Sequence, residues 1–186
     1  MIWELPTSLE VDGKEWEIRT DFRDILNVLT AFADPDLAQN EKLYVCMVTM
    51  YKDFDEMAQE DYAAAYEAAQ RFIDGGVSGK SKSRPRTMDW EQDAPIIFPA
   101  VNKVAGCEVR ALDYLHWWTF TGYFMEIRDS VFSSVLAVRQ KKAKGKKLED
   151  HENEFWQSNR EICELKPRLS KEEQEEKERL RKLVGL

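Results

Sequence analysis

The sequence has 186 residues, of which 43% are apolar and 33% are charged. Its six Trp, six Tyr and nine Phe exclude a chain that is disordered throughout, because disordered chains lack the aromatic side chains that build a core. Residues 1–74 carry a net charge of −11 and the remaining residues +3, which argues against a nucleic-acid-binding domain with one broad basic face.

The first predicted element is a β-hairpin. Residues 9–11 and 16–18 alternate apolar and polar side chains, and Asp12-Gly13 between them favours the positive φ angles of a tight turn. A two-stranded hairpin is marginal alone, so we expect its apolar side to lie on helices.

Three helices are predicted after the hairpin. Thr20 is the expected N-cap of the first helix, and Pro35 is expected in the first turn of the second. The third helix covers about residues 61–74 and ends at Gly75-Gly76. The side chains expected to be buried are Phe22, Ile25, Leu26, Leu29 and Phe32 in the first helix and Leu37, Tyr44, Met47, Val48 and Tyr51 in the second.

Residues 75–88 are predicted to be a flexible basic linker. Helical patterns resume over 89–105, where Pro95 and Pro99 are expected to start the helix late or to kink it, and again over 111–127 and from 132 to 139. One further helix carries Leu148, Phe155, Asn159 and Ile162 near one face and ends before Pro167.

The last predicted helix is nearly all charged. Ser170 and Glu173 have the spacing of a capping box that opens it. Because residues 171–184 are too polar to form more than a marginal helix alone, we expect them to order against a partner or another copy.

Together these elements predict a mainly α protein, a helical bundle with a short N-terminal β-hairpin. The predicted regions are 1–74 (hairpin and three helices), the linker 75–88, the aromatic-rich helical region 89–166, and the charged C-terminal helix 167–186.

The residues that could support catalysis are few, and we expect no enzyme, no metal and no cofactor. Cys107 and His116 could form a thiolate pair, but a buried free cysteine is the more common outcome. The cysteines and histidines lie too far apart for a zinc site. Residues 79–81 end like a phosphate loop, but Asp74 stands where the first glycine is required.

Three widely spaced cysteines, Cys46, Cys107 and Cys163, indicate a reducing compartment. The N-terminus lacks a signal-peptide pattern, and no apolar run reaches the roughly 18 residues that span a bilayer. We therefore expect a cytoplasmic protein without a membrane partner.

Two basic segments, 80–86 and 139–147, are the nucleic-acid candidates, because Lys and Arg neutralise phosphates. Neither has interleaved aromatic residues for base stacking, which favours a solvated linker or helix end. The candidate contact residues are Lys80, Lys82, Arg84, Arg86, Lys141, Lys142 and Lys144.

The strongest local signal is the aromatic segment 114–124. Its rings fall on nearly every side of a helix, which is typical of a central core helix, although part of this belt could instead form a protein interface. The interface candidates are His116, Trp117, Trp118, Phe120, Tyr123 and Phe124.

Three segments resemble the bacteriophage gene-product-fifteen family. They are MDWEQDAPIIF at 88–98, LDYLHWWTF at 112–120 and FSSVLAVR at 132–139. Family members are similar in an acidic, aromatic-led helix start, a Leu-His-Trp-Trp-x-Phe core and a following helix that ends in arginine. The N-terminal hairpin and the stretch from Phe155-Trp156 to Arg160 also suit the family, which adds Phe155 and Trp156 to the interface candidates.

The resemblance implies a protein from the tail module of a long-tailed phage or prophage, acting as a tail assembly chaperone in the cytoplasm of the bacterial host. Its implied partners are the tape measure protein and, beyond it, the major tail protein, with the chain itself as a homo-oligomer. Two alternatives stay open: a nucleic-acid-associated phage regulator that uses 80–86 and 139–147, and a structural component of the finished tail.

Overall fold

The computed structural model describes residues 4–76 and 85–184. In these ranges the chain forms an antiparallel hairpin followed by α-helices that are joined by turns and short 3₁₀ segments. The strands are β1 (Ser8–Val11) and β2 (Lys14–Glu17), and the helices are α1 (Phe22–Ala33), α2 (Gln39–Met50), α3 (Tyr62–Ile73), α4 (Ala94–Ala105), α5 (Trp117–Met125), α6 (Val131–Ala143), α7 (Asp150–Ser158), α8 (Arg160–Cys163) and α9 (Lys171–Val184). This architecture confirms the predicted mainly α class with a short N-terminal hairpin.

The hairpin forms around its predicted turn. Asp12 and Gly13 have φ angles of 47° and 83°, the positive values that a two-residue turn of this kind needs. Val11 and Trp16 are buried, and β1 packs against α3. The expectation that the hairpin lies on helices is therefore confirmed.

The N-cap of α1 is Asp21, one residue after the predicted cap. One Asp21 oxygen accepts a hydrogen bond from the Arg23 amide and the other from the Leu115 amide, both at 3.0 Å. Thr20 is buried instead, and its hydroxyl bonds the Tyr114 hydroxyl at 2.6 Å. The prediction of Thr20 was wrong because contacts with a segment some ninety residues away decide which side chain caps the helix.

The start of α2 also differs from the prediction. Pro35 lies in a turn before the helix, where the Asp34 carboxylate accepts a hydrogen bond from the Asp36 amide at 2.9 Å. The helix begins at Gln39, and its first turn is closed by the Glu41 carboxylate, which accepts from the Ala38 amide at 2.7 Å. A local side-chain turn therefore replaces the expected proline start.

The buried face of α2 is rotated from the predicted one. Met47 and Tyr51 are buried as predicted, and Cys46 and Met50 are buried with them, whereas Tyr44 and Val48 are exposed. The prediction for Tyr44 and Val48 was wrong because the apolar residues of this helix fit more than one face, and spacing alone does not choose between them.

Helix α3 ends at the predicted glycine pair. Gly75 and Gly76 have φ angles of 72° and 78°, which end the helix. Residues 77–84 of the predicted linker lie outside the described residues, together with the basic candidates Lys80, Lys82 and Arg84.

The fourth helix starts late, as its prolines predict. Residues before it form a turn in which the Asp89 carboxylate accepts from the amides of Glu91 and Gln92 at 2.9 and 2.8 Å. Pro95 then lies in the first turn of α4, where a missing N–H costs nothing, and Pro99 lies inside the helix.

Two predicted helices are shorter than expected. Within 111–127 the α-helical part is α5, after a 3₁₀ turn that ends at Ala111, and the predicted helix through Phe155 and Ile162 is divided at Asn159 into α7 and α8. By contrast, the capping box of α9 is confirmed, since Ser170 Oγ accepts from the Glu173 amide at 3.2 Å and Glu173 accepts from the Ser170 amide at 2.8 Å.

One hydrophobic core contains side chains from both 1–74 and 89–166. Its fully buried members include Ile25, Met47 and Phe72 from the first region and Val101 and Phe120 from the second. The two regions are therefore packed against each other through a common interior.

A buried ion pair connects α6 with residues 87–93 and with α8. Arg139 on α6 binds both carboxylate oxygens of Asp93 at 2.8 and 2.9 Å, and these side chains are only 5% and 2% exposed. The remaining guanidinium N–H groups donate to the carbonyls of Thr87 (3.2 Å), Ile162 (2.7 Å) and Cys163 (2.9 Å). All five donors of Arg139 therefore have acceptors, and this residue of the segment 139–147 is not free to contact a nucleic acid.

A second charged cluster holds the chain between α8 and α9. Arg168 donates to both Asp89 oxygens at 2.6 and 2.9 Å, and Arg86 pairs with the same carboxylate. Burial raises the pKa of Asp89, but hydrogen bonds from Arg168, the Gln92 amide and Arg86 lower that pKa by more, so it lies well below its usual range. The C-terminal segment is thus anchored to the residues that precede α4.

The buried pair gives a stability prediction. Arg139→Met leaves Asp93 buried without a countercharge and three carbonyls without their donor, so the free energy of unfolding is expected to fall by about 3–5 kcal/mol. Urea denaturation followed by circular dichroism measures this. Arg160→Met, which removes a largely exposed partner of Glu164, is the control and is expected to leave the midpoint unchanged. A loss of less than about 1 kcal/mol for Arg139→Met would contradict this role.

The Asp89 cluster gives a pH prediction. Since the pKa of Asp89 is lowered in the folded state, its stabilising contribution is complete above the unfolded pKa of about 3.9 and is lost as the pH falls below that value. The free energy of unfolding at pH 6 minus that at about pH 3.5 is therefore expected to be smaller in Asp89→Asn than in the wild type. Glu10→Gln, on the exposed edge of the hairpin, is the matched control. An unchanged pH difference in Asp89→Asn would show that the cluster does not stabilise the fold.

Candidate protein-interaction site

His116 is a buried structural link between the N-terminal segment and α5. It is the N-cap of α5, where its Nδ1 accepts a hydrogen bond from the Trp118 amide at 3.0 Å. Its Nε2 donates to the Pro6 carbonyl at 3.0 Å, so one neutral tautomer serves both bonds. Neither ring nitrogen is left to act as a base toward Cys107, and at 3% exposure the ring is out of reach of a partner. Cys107 itself is exposed, so the expectation that it is buried was wrong.

Trp117 and Trp118 both cap the carboxyl end of α3. The Trp117 indole donates to the Ile73 carbonyl at 2.9 Å, and the Trp118 indole donates to the Phe72 carbonyl at 2.8 Å. Carbonyls in the last turn of a helix have no partner from the regular helix pattern. The Phe72 carbonyl also accepts from the Gly75 amide at 3.0 Å, so the Trp118 indole is its second donor, whereas the Trp117 indole donates to Ile73 one residue later. Trp118 also stacks on the Phe72 ring, with centroids 5.6 Å apart.

The remaining rings of α5 continue into the core. Phe120 is fully buried and stacks on Phe22 at a centroid distance of 4.6 Å. Phe124 is half-buried between Trp90, at 5.0 Å, and Phe132, at 5.5 Å. Tyr123 is half-buried and packs against the same core. Of the two interpretations left open by the sequence, the geometry places His116, Trp117 and Phe120 in the core, while Trp118, Tyr123 and Phe124 keep only part of their surface exposed.

The two later aromatic candidates lie on α7. Phe155 and Trp156 are half-buried, and the Lys142 ammonium lies 3.6 Å from the centroid of the Trp156 ring. That separation is well within the range of a cation–π contact. Their role at an interface stays a prediction.

Most of the described basic candidates have local acidic or aromatic partners. Arg86 pairs with Asp89, and Lys141 binds Glu149 and Glu152 at 3.2 and 2.5 Å. Lys142 covers Trp156, whereas Lys144 is exposed at the C-cap of α6. The structure therefore does not gather these side chains into one phosphate-binding surface in the part of the chain that it describes.

Large apolar side chains that the sequence did not single out as interface residues remain exposed on helices and loops. The residues are Leu5, Tyr44, Val48, Val104, Leu112, Tyr114, Met125, Val131, Leu180 and Leu183. Tyr44 and Val48 lie four residues apart on α2, which places them on one helix face. Sequence spacing assigned both to the core, and only the packing of the neighbouring helices shows which face of α2 stays open.

Residues 4–76 and 85–184 hold neither a cluster of metal-ligand side chains nor a membrane-spanning helix. No group of three or more His, Cys, Asp or Glu side chains there is arranged to hold a metal ion. None of the helices in these ranges combines the length and apolar character needed to cross a bilayer.

The capping role of the tryptophans is testable by removing one donor. Trp118→Phe keeps a ring against Phe72 and removes the indole N–H from the Phe72 carbonyl, which then accepts only from the Gly75 amide, so the free energy of unfolding is expected to fall by about 1 kcal/mol. Trp117→Phe, at a more buried ring, is expected to cost at least as much. Urea midpoints measure both, with Tyr44→Phe at an exposed position as the control. Wild-type stability in both tryptophan variants would show that these indole bonds do not hold the fold together.

The comparison with known families assigns the chain to one of them. The family model described as bacteriophage Gp15 protein matches residues 1–165, from the hairpin through α8. No curated protein and no solved structure matches the chain. The match includes the Leu-His-Trp-Trp-x-Phe segment and the Asp93–Arg139 pair, and it covers well over half of the sequence. The chain therefore belongs to the bacteriophage Gp15 protein family.

Proposed function

We propose that the protein is a tail assembly chaperone that binds the tape measure protein of its phage in the host cytoplasm, and that it has no catalytic activity. Membership of a phage protein family supports the phage context. The resemblance to tail-module proteins supports the tape measure protein as the partner, with the major tail protein as a further one.

The exposed pair on α2 is the observation that carries this proposal. Tyr44 is 58% and Val48 is 39% exposed, although the inner face of the same helix is already filled by Cys46, Met47 and Met50. The Tyr44 ring packs edge-on against the buried Phe54 ring at a centroid distance of 5.8 Å. An aromatic and a β-branched side chain on one ordered face form a suitable surface for the apolar stripe of a partner helix.

Acidic residues near this face indicate which charge a partner helix would carry. Tyr44 packs against Phe54, and the residues on either side of Phe54 are the exposed acids Asp53, Asp55 and Glu56. A tape measure helix bound there is expected to have Lys or Arg beside its apolar stripe, since charge complementarity steers association and selects against acidic helices. The same acidic surface keeps a complex with an aggregation-prone helical partner soluble.

The nucleic-acid alternative gains no support from the geometry. Arg139 is buried, Arg86 and Lys141 are paired with carboxylates, and Lys142 lies on an aromatic ring. A structural role in the finished tail is distinguished by the protein content of purified virions, where a chaperone is expected to be absent.

The binding face is tested with Tyr44→Ser/Val48→Ser. Co-expression of the wild-type chain with the tape measure protein of the same phage is expected to keep that protein soluble and to give co-purification. The double variant is expected to lower the recovered complex by about tenfold or more, because two central apolar anchors are lost. The fold is checked by circular dichroism.

The matched control is Met125→Ser/Val131→Ser, which removes apolar side chains that are 74% and 51% exposed at the end of α5 and the start of α6. This control is expected to bind as the wild type does. Equal binding by both double variants would place the interface away from α2. Failure of the wild-type chain to solubilise or retain the tape measure protein would contradict the proposed function itself.

A further inference from the structure

The C-terminal helix stands apart from the body of the protein. Every residue from 171 to 183 is exposed, including Leu180 and Leu183 at 50% and 75%. The described contact between α9 and the earlier part of the chain is at its start, where the Lys171 amide donates to Asp36 at 2.9 Å. The helix also lies beyond residues 1–165 that match the family model. A 14-residue helix without packing is marginal in water, so α9 lacks a source of stability within the described body.

The charges of α9 are separated along its length. Residues 171–176 carry a net charge of −3 and residues 177–182 carry +3. The helix dipole favours acidic residues in the first turn and basic residues in the last, but it does not extend to the middle of the helix. The sign changes between Glu176 and Lys177, so the dipole does not account for the charges of Glu175, Glu176, Lys177 and Arg179.

We propose that α9 pairs antiparallel with α9 of a second copy of this chain. In that orientation the acidic half of each helix lies along the basic half of the other, so the pair has two regions of complementary charge. A parallel pair would place acid beside acid and base beside base. The antiparallel arrangement also brings the exposed Leu183 of one copy to the level of the half-buried Leu169 of the other, which supplies an apolar contact at each end.

The expected contact is short and electrostatic. Fourteen residues give a helix of about 21 Å, and exposed charge pairs are individually weak and screened by salt. The pairing is therefore expected to be weak and to lose at least roughly tenfold in affinity when salt is raised from about 0.05 M to about 0.5 M. It does not depend on the tape measure protein as partner, and its test uses the chain alone.

Two charge-reversal variants of the full chain test the pairing. Glu175→Lys/Glu176→Lys gives α9 a net charge of +4, and Lys177→Glu/Arg179→Glu gives it −4. All four positions lie outside the first turn with its capping box and outside the last turn. Sedimentation equilibrium at low salt is expected to show self-association of the wild type, association at least roughly tenfold weaker for each variant alone, and a heterodimer in their equimolar mixture.

The matched control is Glu10→Lys/Glu15→Lys, which changes the net charge by the same +4 on two exposed, facing positions of the hairpin. It is expected to self-associate as the wild type does. Three results would overturn the proposal: a monomeric wild type at low salt up to roughly 1 mM protein, undiminished self-association of either α9 variant, or no association in the mixture of the two.

Discussion

The short segment 115–118 forms hydrogen bonds with three separate parts of the chain and so holds them together. Its backbone meets the cap of α1, where Leu115 donates to Asp21, and its His116 ring donates to the Pro6 carbonyl. The indoles of Trp117 and Trp118 donate to the last-turn carbonyls of α3. Buried backbone groups without partners are costly, so this one segment stabilises the ends of two helices and the N-terminal extension together.

The aromatic belt is therefore first of all an internal feature. Trp117 stacks on Phe120, and Phe120 stacks on Phe22, so α5 fills the centre of the bundle and the side chains left for a partner lie on other surfaces. The open face of α2 and the isolated helix α9 are two such surfaces, and they differ in chemistry. The α2 face is apolar, lies beside the acidic residues 53–56, and suits a helix of another protein. Helix α9 has an acidic half and a basic half, and it suits a second copy of itself.

The sequence predicts the features that local chemistry determines. Asp12-Gly13 places the hairpin, Gly75-Gly76 ends α3, and the Ser170 capping box opens α9, because each depends on neighbouring residues alone. The candidate site is less predictable. Spacing brings the rings of 114–124 onto one helix and indicates core or interface without deciding between them. The capping bonds of Trp117, the five bonds of Arg139 and the exposed face of α2 arise from contacts between distant segments, which no local pattern contains.

The most direct test of this account is amide hydrogen exchange of the segment 115–120, measured in the chain alone and in its complex with the tape measure protein. If segment 115–118 holds these parts of the chain together, its amide hydrogens are expected to exchange as slowly as those at the centre of α1 in both states, because exposing them requires global unfolding. Fast exchange in the free chain that becomes slow only in the complex would contradict the account and would make the aromatic belt the binding surface.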